Sequence, residues 1–108
     1  EMTKLIISGG GSNGDLFMQI FADVFNVPAT RNVVNGSASI GAAICTALAL
    51  GIYRDKEEAI AHMVRPGNTF TPIGAHVLLY DRMNREVYVK LASTLDPLLM
   101  TSHAIFNE

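Results

Sequence analysis

The segment Leu5-Ile-Ile-Ser-Gly-Gly-Gly-Ser-Asn-Gly-Asp15 constrains the fold more than any other part of this chain. A short aliphatic run from Lys4 to Ser8 enters a turn carrying four glycines, and an amphipathic stretch follows. A buried strand that turns tightly into a helix is the opening of an α/β unit. The helix start leaves backbone N–H groups without intrahelical partners, at the positive end of the macrodipole. Such a terminus receives anions and nucleotides, and glycine lets them approach the backbone with no Cβ in the way.

Ser12-x-x-Asp15 has the form of a capping box. Leu16, Phe17, Ile20, Phe21, Val24 and Phe25 then recur as a helical stripe, with Gln19, Asp23 and Asn26 off it and Pro28 as the stop. Ala29 to Val34 reads as a second short strand and Asn35-Gly36 as a turn. Ser37 or Ser39 is placed to cap a helix from about Ala38 to Leu50, whose small residues suit close packing against a sheet or another helix. Gly51 fits the residue after its last turn. Asp55-x-x-Glu58 opens a short helix to about Val64, ended by Pro66-Gly67. Asn68 to Ala75 reads as a loop and His76 to about Ser93 as a long helix with Val77, Tyr80, Val87, Tyr88, Leu91 and Leu95 near one face. Leu95 to Met100 adds about one turn, and Thr101 to Glu108 shows no pattern. Two strands and four helices result. Two strands are too few for a self-sufficient sheet, so the natural neighbours of a first strand buried on both faces are expected outside this sequence. The beginning at Glu1-Met2 points the same way, toward one partial domain over residues 1–108.

With 108 residues, an apolar fraction of 49% and a charged fraction of 17%, the chain is of globular composition. Its formal net charge of −2 and scattered basic residues argue against a nucleic-acid surface or a polybasic membrane patch. The longest apolar stretch, Ile40 to Tyr53, is too short and interrupted to span a bilayer, and no signal peptide is visible. A lone cysteine, Cys45, makes no intrachain disulfide. It reads as a small buried side chain in a reducing, cytoplasmic protein.

Gly9-Gly-Gly-Ser-Asn-Gly14 matches G-x-G-x-x-G literally. A dinucleotide site also requires an acidic residue about 20 positions on to hold the ribose, and no Asp or Glu lies between Asp23 and Asp55. A Walker A loop requires Gly-Lys-Ser/Thr, and Gly14 is followed by Asp15. A tight turn without a ligand remains open on these local features.

The wider pattern is more specific. Ser8-Gly-Gly-Gly-Ser-Asn-Gly-Asp-Leu-Phe-Met-Gln-Ile-Phe-Ala-Asp-Val-Phe-Asn-Val-Pro28 strongly resembles the adenosine-binding segment of the FGGY carbohydrate kinases, with Gln19 and Ala22-Asp23 in their places. Gly36 to Gly51, with Ile40-Gly41-Ala42-Ala43 at its core, looks like the next helix of that family, and the helix carrying Tyr80, Val87-Tyr88 and Leu91 resembles the end of such kinases. The resemblance spans roughly residues 5 to 100. It implies an α/β fold, a fragment of an actin-like ATPase (ribonuclease H-like) domain with few strands and several packed helices. It implies the C-terminal part of the second, nucleotide-side domain of an enzyme that moves the γ-phosphoryl of ATP, with Mg²⁺, to a sugar or polyol hydroxyl. A ketopentose such as xylulose or ribulose is the first expectation and glycerol the second. Carried over by position, Gly10 and Gly11 lie against phosphates and ribose, while Ser12, Asn13 and Gly14 border the adenosine. In some members an asparagine at the position of Gly14 contacts the base; Gly14 has no side chain to do so, and Asn13 is the candidate to compensate. The family's phosphate turn, sugar-binding residues and catalytic aspartate lie upstream, and none of Asp15, Asp23, Asp55, Asp81 or Asp96 matches the catalytic position. Phosphoryl transfer needs base, metal and charge clamps together, so this chain alone is expected to be inactive.

Two other readings stay open: a non-catalytic module that binds adenine nucleotide, and a structural α/β fragment that self-associates through an exposed strand edge. His62, His76 and His103 show no metal-ligand spacing, and no structural metal is expected. Asp23, mid-helix among apolar residues, is expected to hydrogen-bond a neighbouring loop or to line the cleft.

Overall fold

β1 (Leu5–Ile7) opens a three-stranded sheet in the computed structural model, which describes residues 2–107. A 3-10 turn, Gly10–Asn13, leads into α1 (Asp15–Phe25), which returns the chain to β2 (Ala29–Asn32), parallel to β1 with Leu5 opposite Ala29 and Ile7 opposite Arg31. α2 (Ser37–Ala49) and α3 (Lys56–Met63) follow. β3 (Pro66–Phe70) then pairs antiparallel with β2, Ala29 opposite Phe70. α4 (Gly74–Met83), a π-helical stretch Asn84–Tyr88 and α5 (Val89–Phe106) form one continuous helical run. The α/β class expected from the sequence is the observed one.

β3 corrects the reading of residues 68–75 as loop. Pro66 and Gly67 are poor strand residues, but an edge strand needs hydrogen bonds on one side only and tolerates proline at its first position. Gly67 is required there: a Cβ would stand 2.9 Å from the carbonyl oxygen of Arg31, where the β2–β3 register shifts between Thr30 and Asn32. Cross-strand hydroxyls of Thr30 and Thr69, 2.8 Å apart, tie the pair further. β1 is not buried on both faces within this chain. Ile6 is 61% exposed, and β1 occupies the free edge of the order β1-β2-β3.

α1 packs on the sheet through Met18 and Ala22, which meet Ala29 with Leu5, Ile7 and Phe70 around them. This is not the stripe that the periodicity marks. Leu16, Phe17, Val24 and Phe25 are exposed, while Asp23, read as off the apolar face, is buried. A short sheet is covered by the narrower face, because Ala22 lets helix and strand approach closely. The larger apolar side chains stack along the helix instead, with ring centroids 4.6 Å apart for Phe17–Phe21 and 5.9 Å for Phe21–Phe25. Termination also differs: Asn26 adopts left-handed geometry (φ 51°), and its N–H bonds the Ala22 carbonyl before Pro28 is reached. Asparagine visits this region more readily than most residues.

α2 begins after Gly36 with no side-chain cap, so neither Ser37 nor Ser39 plays that part. Its end is as expected. Gly51 has φ 67°, with Gly51 N–H to Leu48 O at 3.0 Å and Ile52 N–H to Ala47 O at 2.9 Å, the paired bonds of a Schellman ending. α2 packs against α3, where Ala47 and Ala59 are buried. Cys45 is exposed, against the expectation of a buried side chain. Asp55 caps α3 by accepting from Glu58 N–H at 2.9 Å, and Glu58 reaches back to the Arg54 N–H at 2.8 Å. Helix continues through Thr101 to Phe106, where the sequence shows no pattern, and carries Pro97 within it.

The radius of gyration is 20.3 Å, against about 13 Å for a compact chain of this length. The accessible surface is 8082 Å², against about 5900 Å² for a self-contained protein of this mass. α4, the π-helical stretch and α5 contribute no buried residue. With Val24 and Phe25 of α1, the side chains of Val77, Tyr80, Val87 and Leu91 line an open apolar groove of about 920 Å³.

Candidate functional site

The glycine turn stands at the C-terminal end of β1, where ligands meet open α/β sheets. Gly9 has φ 91°, a conformation glycine adopts without strain, and this reverses the chain into the 3-10 turn. Gly14, extended, is the N-cap of α1 and supplies no side-chain cap. Ser12 therefore does not form the capping box. It is completely buried, and its hydroxyl donates to the Gly9 carbonyl at 2.7 Å, closing the turn on itself. The glycines divide the turn into two sides. Positions for a Cβ on Gly9 and Gly10 have no atom within 4 Å, whereas one on Gly11 would stand 2.9 Å from Phe17 Cζ. One side is thus open to a ligand and the other is filled by the Phe17 ring. The first N–H groups of the 3-10 turn have no carbonyl within it to bond.

Two residues missed by sequence reasoning hold this turn. Arg31, at the end of β2, donates from Nη1 to the carbonyls of Ser12 (3.0 Å) and Asn13 (3.2 Å) and pairs with Asp15 at 2.9 Å. Its Nη2 donates to Asn68 Oδ1 at 3.1 Å, and the guanidinium lies 5.4 Å from the centre of the Phe70 ring. The Arg31 side chain is only 19% exposed. Its planar fork joins turn, α1 and β3 at once, which a point charge cannot do. Asn35 grips Gly9 on both sides: its carbonyl accepts the Gly9 N–H at 2.8 Å and its Nδ2 donates to the Gly9 carbonyl at 3.3 Å. The same Nδ2 donates to Asn13 Oδ1. Ser37, on the first turn of α2, donates to the Ser8 hydroxyl at 2.7 Å. Gly10 to Gly14, the residues singled out from the sequence, thus form one continuous turn, with the Asn13 side chain at the surface. The signal for Arg31 was present as a lone cation in a strand reaching the level of the turn; Asn35-Gly36 reads only as a turn.

A second polar cluster lies at the far end of α1. Asp23, 1% exposed, accepts from Ile73 N–H at 2.8 Å, from Gln19 Nε2 at 2.9 Å and from His76 Nδ1 at 2.9 Å. An ionised carboxylate only accepts, so His76 carries its hydrogen on Nδ1 here. Gln19 Nε2 also donates to the Thr71 carbonyl at 2.9 Å. Ile73 is the N-cap of α4, so Asp23 caps that helix from outside. Burial alone would raise the Asp23 pKa. The Ile73 N–H, then His76 and Gln19, outweigh it and hold the carboxyl below its ordinary value. Of the two roles open for Asp23, the hydrogen bond to a neighbouring loop is the one observed. Elsewhere His62 stacks on Tyr53 at 5.3 Å, and Arg82 pairs with Glu86 at 2.9 Å. Among the described residues no helix is long and apolar enough to cross a membrane.

A strand, a glycine turn and a helix returning to a parallel strand, with a helical layer beyond, form an α/β segment, and its likeness to solved sugar kinases places it in the actin-like ATPase fold. It overlays with a TM-score of 0.74 on the ligand-bound xylulose kinase from Lactobacillus acidophilus, at 21% identity over 87% of this chain and 19% of that one. Residues 1–50 match the C-terminal domain of the FGGY family of carbohydrate kinases. The chain is 50% identical to the uncharacterized sugar kinase YgcE of Escherichia coli over 103 residues, covering 95% of this chain and 21% of the relative. It is 39% identical to a ribulokinase of Mycolicibacterium smegmatis over 89 residues, covering 82% of this chain and 16% of that one. The chain belongs to the FGGY family of carbohydrate kinases, as a segment of their C-terminal domain, and spans about one fifth of the length of the relatives it matches.

Proposed function

We propose that the protein carrying this segment transfers the γ-phosphoryl group of ATP to a sugar hydroxyl, and that residues 10–14 supply the adenosine-binding side of its cleft. The observation that carries this reading is the two-sided glycine turn. Gly9 and Gly10 leave open space above a helix start, while Gly11 is packed from beneath by Phe17. In this arrangement backbone N–H groups meet phosphate or ribose oxygens without a Cβ between them. Gly10 and Gly11 serve the phosphate and ribose end. Ser12, its hydroxyl turned inward, contributes the shape of the turn, and Asn13 and Gly14 border the base.

The acceptor is a ketopentose, xylulose or ribulose, a choice supported by the ribulokinase relative. Sugar contacts and the catalytic base come from elsewhere in the protein. Mg²⁺ accompanies the nucleotide and neutralises charge on its phosphates, as phosphoryl transfer requires. The cytoplasm is the compartment this chemistry calls for.

The test is a coupled assay of ADP release by the full-length protein against a panel of ketopentoses, polyols and aldoses. Ketopentose-dependent turnover is the expected result, with none from the 108-residue chain alone. Sugar-independent ATP hydrolysis, or turnover by the isolated chain, would overturn the assignment.

A further inference from the structure

The hydrogen bonds around Gly9 fix the orientation of two asparagine side chains. The Gly9 carbonyl accepts from Ser12 N–H at 3.1 Å and from the Ser12 hydroxyl at 2.7 Å. A carbonyl oxygen only accepts, so the Asn35 atom 3.3 Å from it is Nδ2 and not Oδ1. The second hydrogen of that Nδ2 goes to Asn13, which therefore presents Oδ1 to Asn35. Asn13 Nδ2 is thereby turned away from Asn35 and has no acceptor among the described residues. Its main chain is held as well, because Arg31 Nη1 donates to the Asn13 carbonyl at 3.2 Å. Asn13 is thus a fixed outward donor at the edge of the open turn, where a free asparagine would present either end of its amide.

We propose that Asn35 is a positioning residue that sets the amide polarity of Asn13, and that Asn13 uses its Nδ2 donor to select a ring-nitrogen acceptor on the purine base. This rests on the adenosine-side reading of the turn. Gly14 offers no side chain to the base, and a donor at the neighbouring position takes over recognition. A donor held in place before binding loses no rotamer freedom on contact, so its hydrogen bond adds to selectivity and not only to affinity.

The experiment measures KM and kcat of the full-length protein with ATP and with 1-deaza-, 3-deaza- and 7-deaza-ATP. One analogue, lacking the nitrogen that Asn13 reads, is expected to raise KM about fivefold with kcat unchanged. Asn13→Ala removes the donor, and its KM for ATP rises by a similar factor while the penalty for that analogue disappears. Asn35→Asp turns the position into an acceptor that draws Asn13 Nδ2 inward, so it also abolishes the penalty. Asn13→Ala leaves Asn35 and the Gly9 contacts intact and decides the matter if Asn35→Asp fails to fold. Equal use of ATP and all three analogues by the unaltered protein overturns the inference and leaves the adenosine reading standing. So does an analogue penalty that survives in Asn13→Ala. A protein that uses no ATP at all overturns both.

Discussion

Asp23 Oδ2 and His76 Nδ1 stand 2.9 Å apart and join the second half of α1 to the first turn of α4 across 53 positions of sequence. The remaining oxygen of Asp23 takes the Ile73 N–H and Gln19, so one buried carboxylate closes the N-terminus of a helix to which it is not adjacent in sequence. The Gln19 and Ala22-Asp23 positions of the family resemblance thus acquire a physical role. Ala22 lets α1 approach the sheet, and Gln19 and Asp23 anchor the segment from Thr71 to His76. This anchor lies at the end of α1 opposite the glycine turn, so it holds α4 in place without contacting the turn.

The anchor is acid-labile. Burial raises the Asp23 pKa, but the donors reverse the sign and leave it below the ordinary aspartate value. A depressed folded pKa stabilises the fold above the unfolded value, and the stabilisation is lost as pH falls through the folded one. Hydrogen exchange at the Ile73 amide should therefore be protected near neutrality, and the protection, taken relative to the intrinsic rate at each pH, should be lost below about pH 4. Asp23→Asn should lower protection at neutral pH by about 1–3 kcal/mol of opening free energy and flatten its acid dependence. An unchanged acid dependence in that variant would show that another group controls the opening.

Arg31 couples the glycine turn to β3. Arg31→Met leaves the Ser12 and Asn13 carbonyls and the Asp15 carboxylate without their shared donor, and it should destabilise the fold by about 1–3 kcal/mol. The turn then loosens, and KM for ATP should rise in the full-length protein. Arg31→Lys should recover little of either, because a single ammonium does not span Ser12, Asn13, Asp15 and Asn68 together. Full recovery by lysine in thermal unfolding and KM would reduce Arg31 to a simple positive charge.

The sequence marked β1, the turn, the end of α2 and the start of α3 because their signals are local: aliphatic run, glycines, Gly51 and Asp55. Where it misled, a partner distant in sequence decided the outcome. Pro66-Gly67 becomes strand because Arg31 and Val33 lie across from it, with Val33 N–H bonded to Arg65 O at 2.9 Å. Asp23 is buried because the N-terminus of α4 arrives to be capped. Asn35 matters because a parallel strand brings it beside Gly9. In the site, residues 10–14 were legible as a turn, while the side chains that orient them belong to β2 and the loop after it, and no spacing rule links those to a glycine run.

The outward apolar stripe of α1 and the unburied α5 predict the behaviour of the isolated chain. An excess of about 2000 Å² over the surface of a self-contained protein leaves apolar faces in water. Expressed alone, residues 1–108 should elute as self-associated species, bind a hydrophobic dye and show fast amide exchange across α5. The β1–β2–α1 unit should retain the most protection, since Met18, Ala22 and Ala29 form its core. A monodisperse monomer with protected α5 amides would mean that these faces are covered within the chain itself.

Gly10 and Gly11 are neighbours with opposite requirements, and alanine separates them. At Gly11 the added Cβ meets the Phe17 ring at 2.9 Å, so the ring must move. Overpacking of this kind costs about 1–3 kcal/mol, and Gly11→Ala should lower the melting temperature. Phe17→Leu should relieve the cost in the double variant, a non-additivity expected of residues in contact. At Gly10 the Cβ enters open space and the backbone needs no positive φ, so Gly10→Ala should unfold within about 0.5 kcal/mol of the unaltered protein. The same methyl stands on the side proposed for the nucleotide, and KM for ATP should rise severalfold while KM for the sugar does not. A Gly10→Ala protein with unaltered stability and unaltered ATP kinetics would remove the ligand from this face of the turn, because no other atom among the described residues occupies that space.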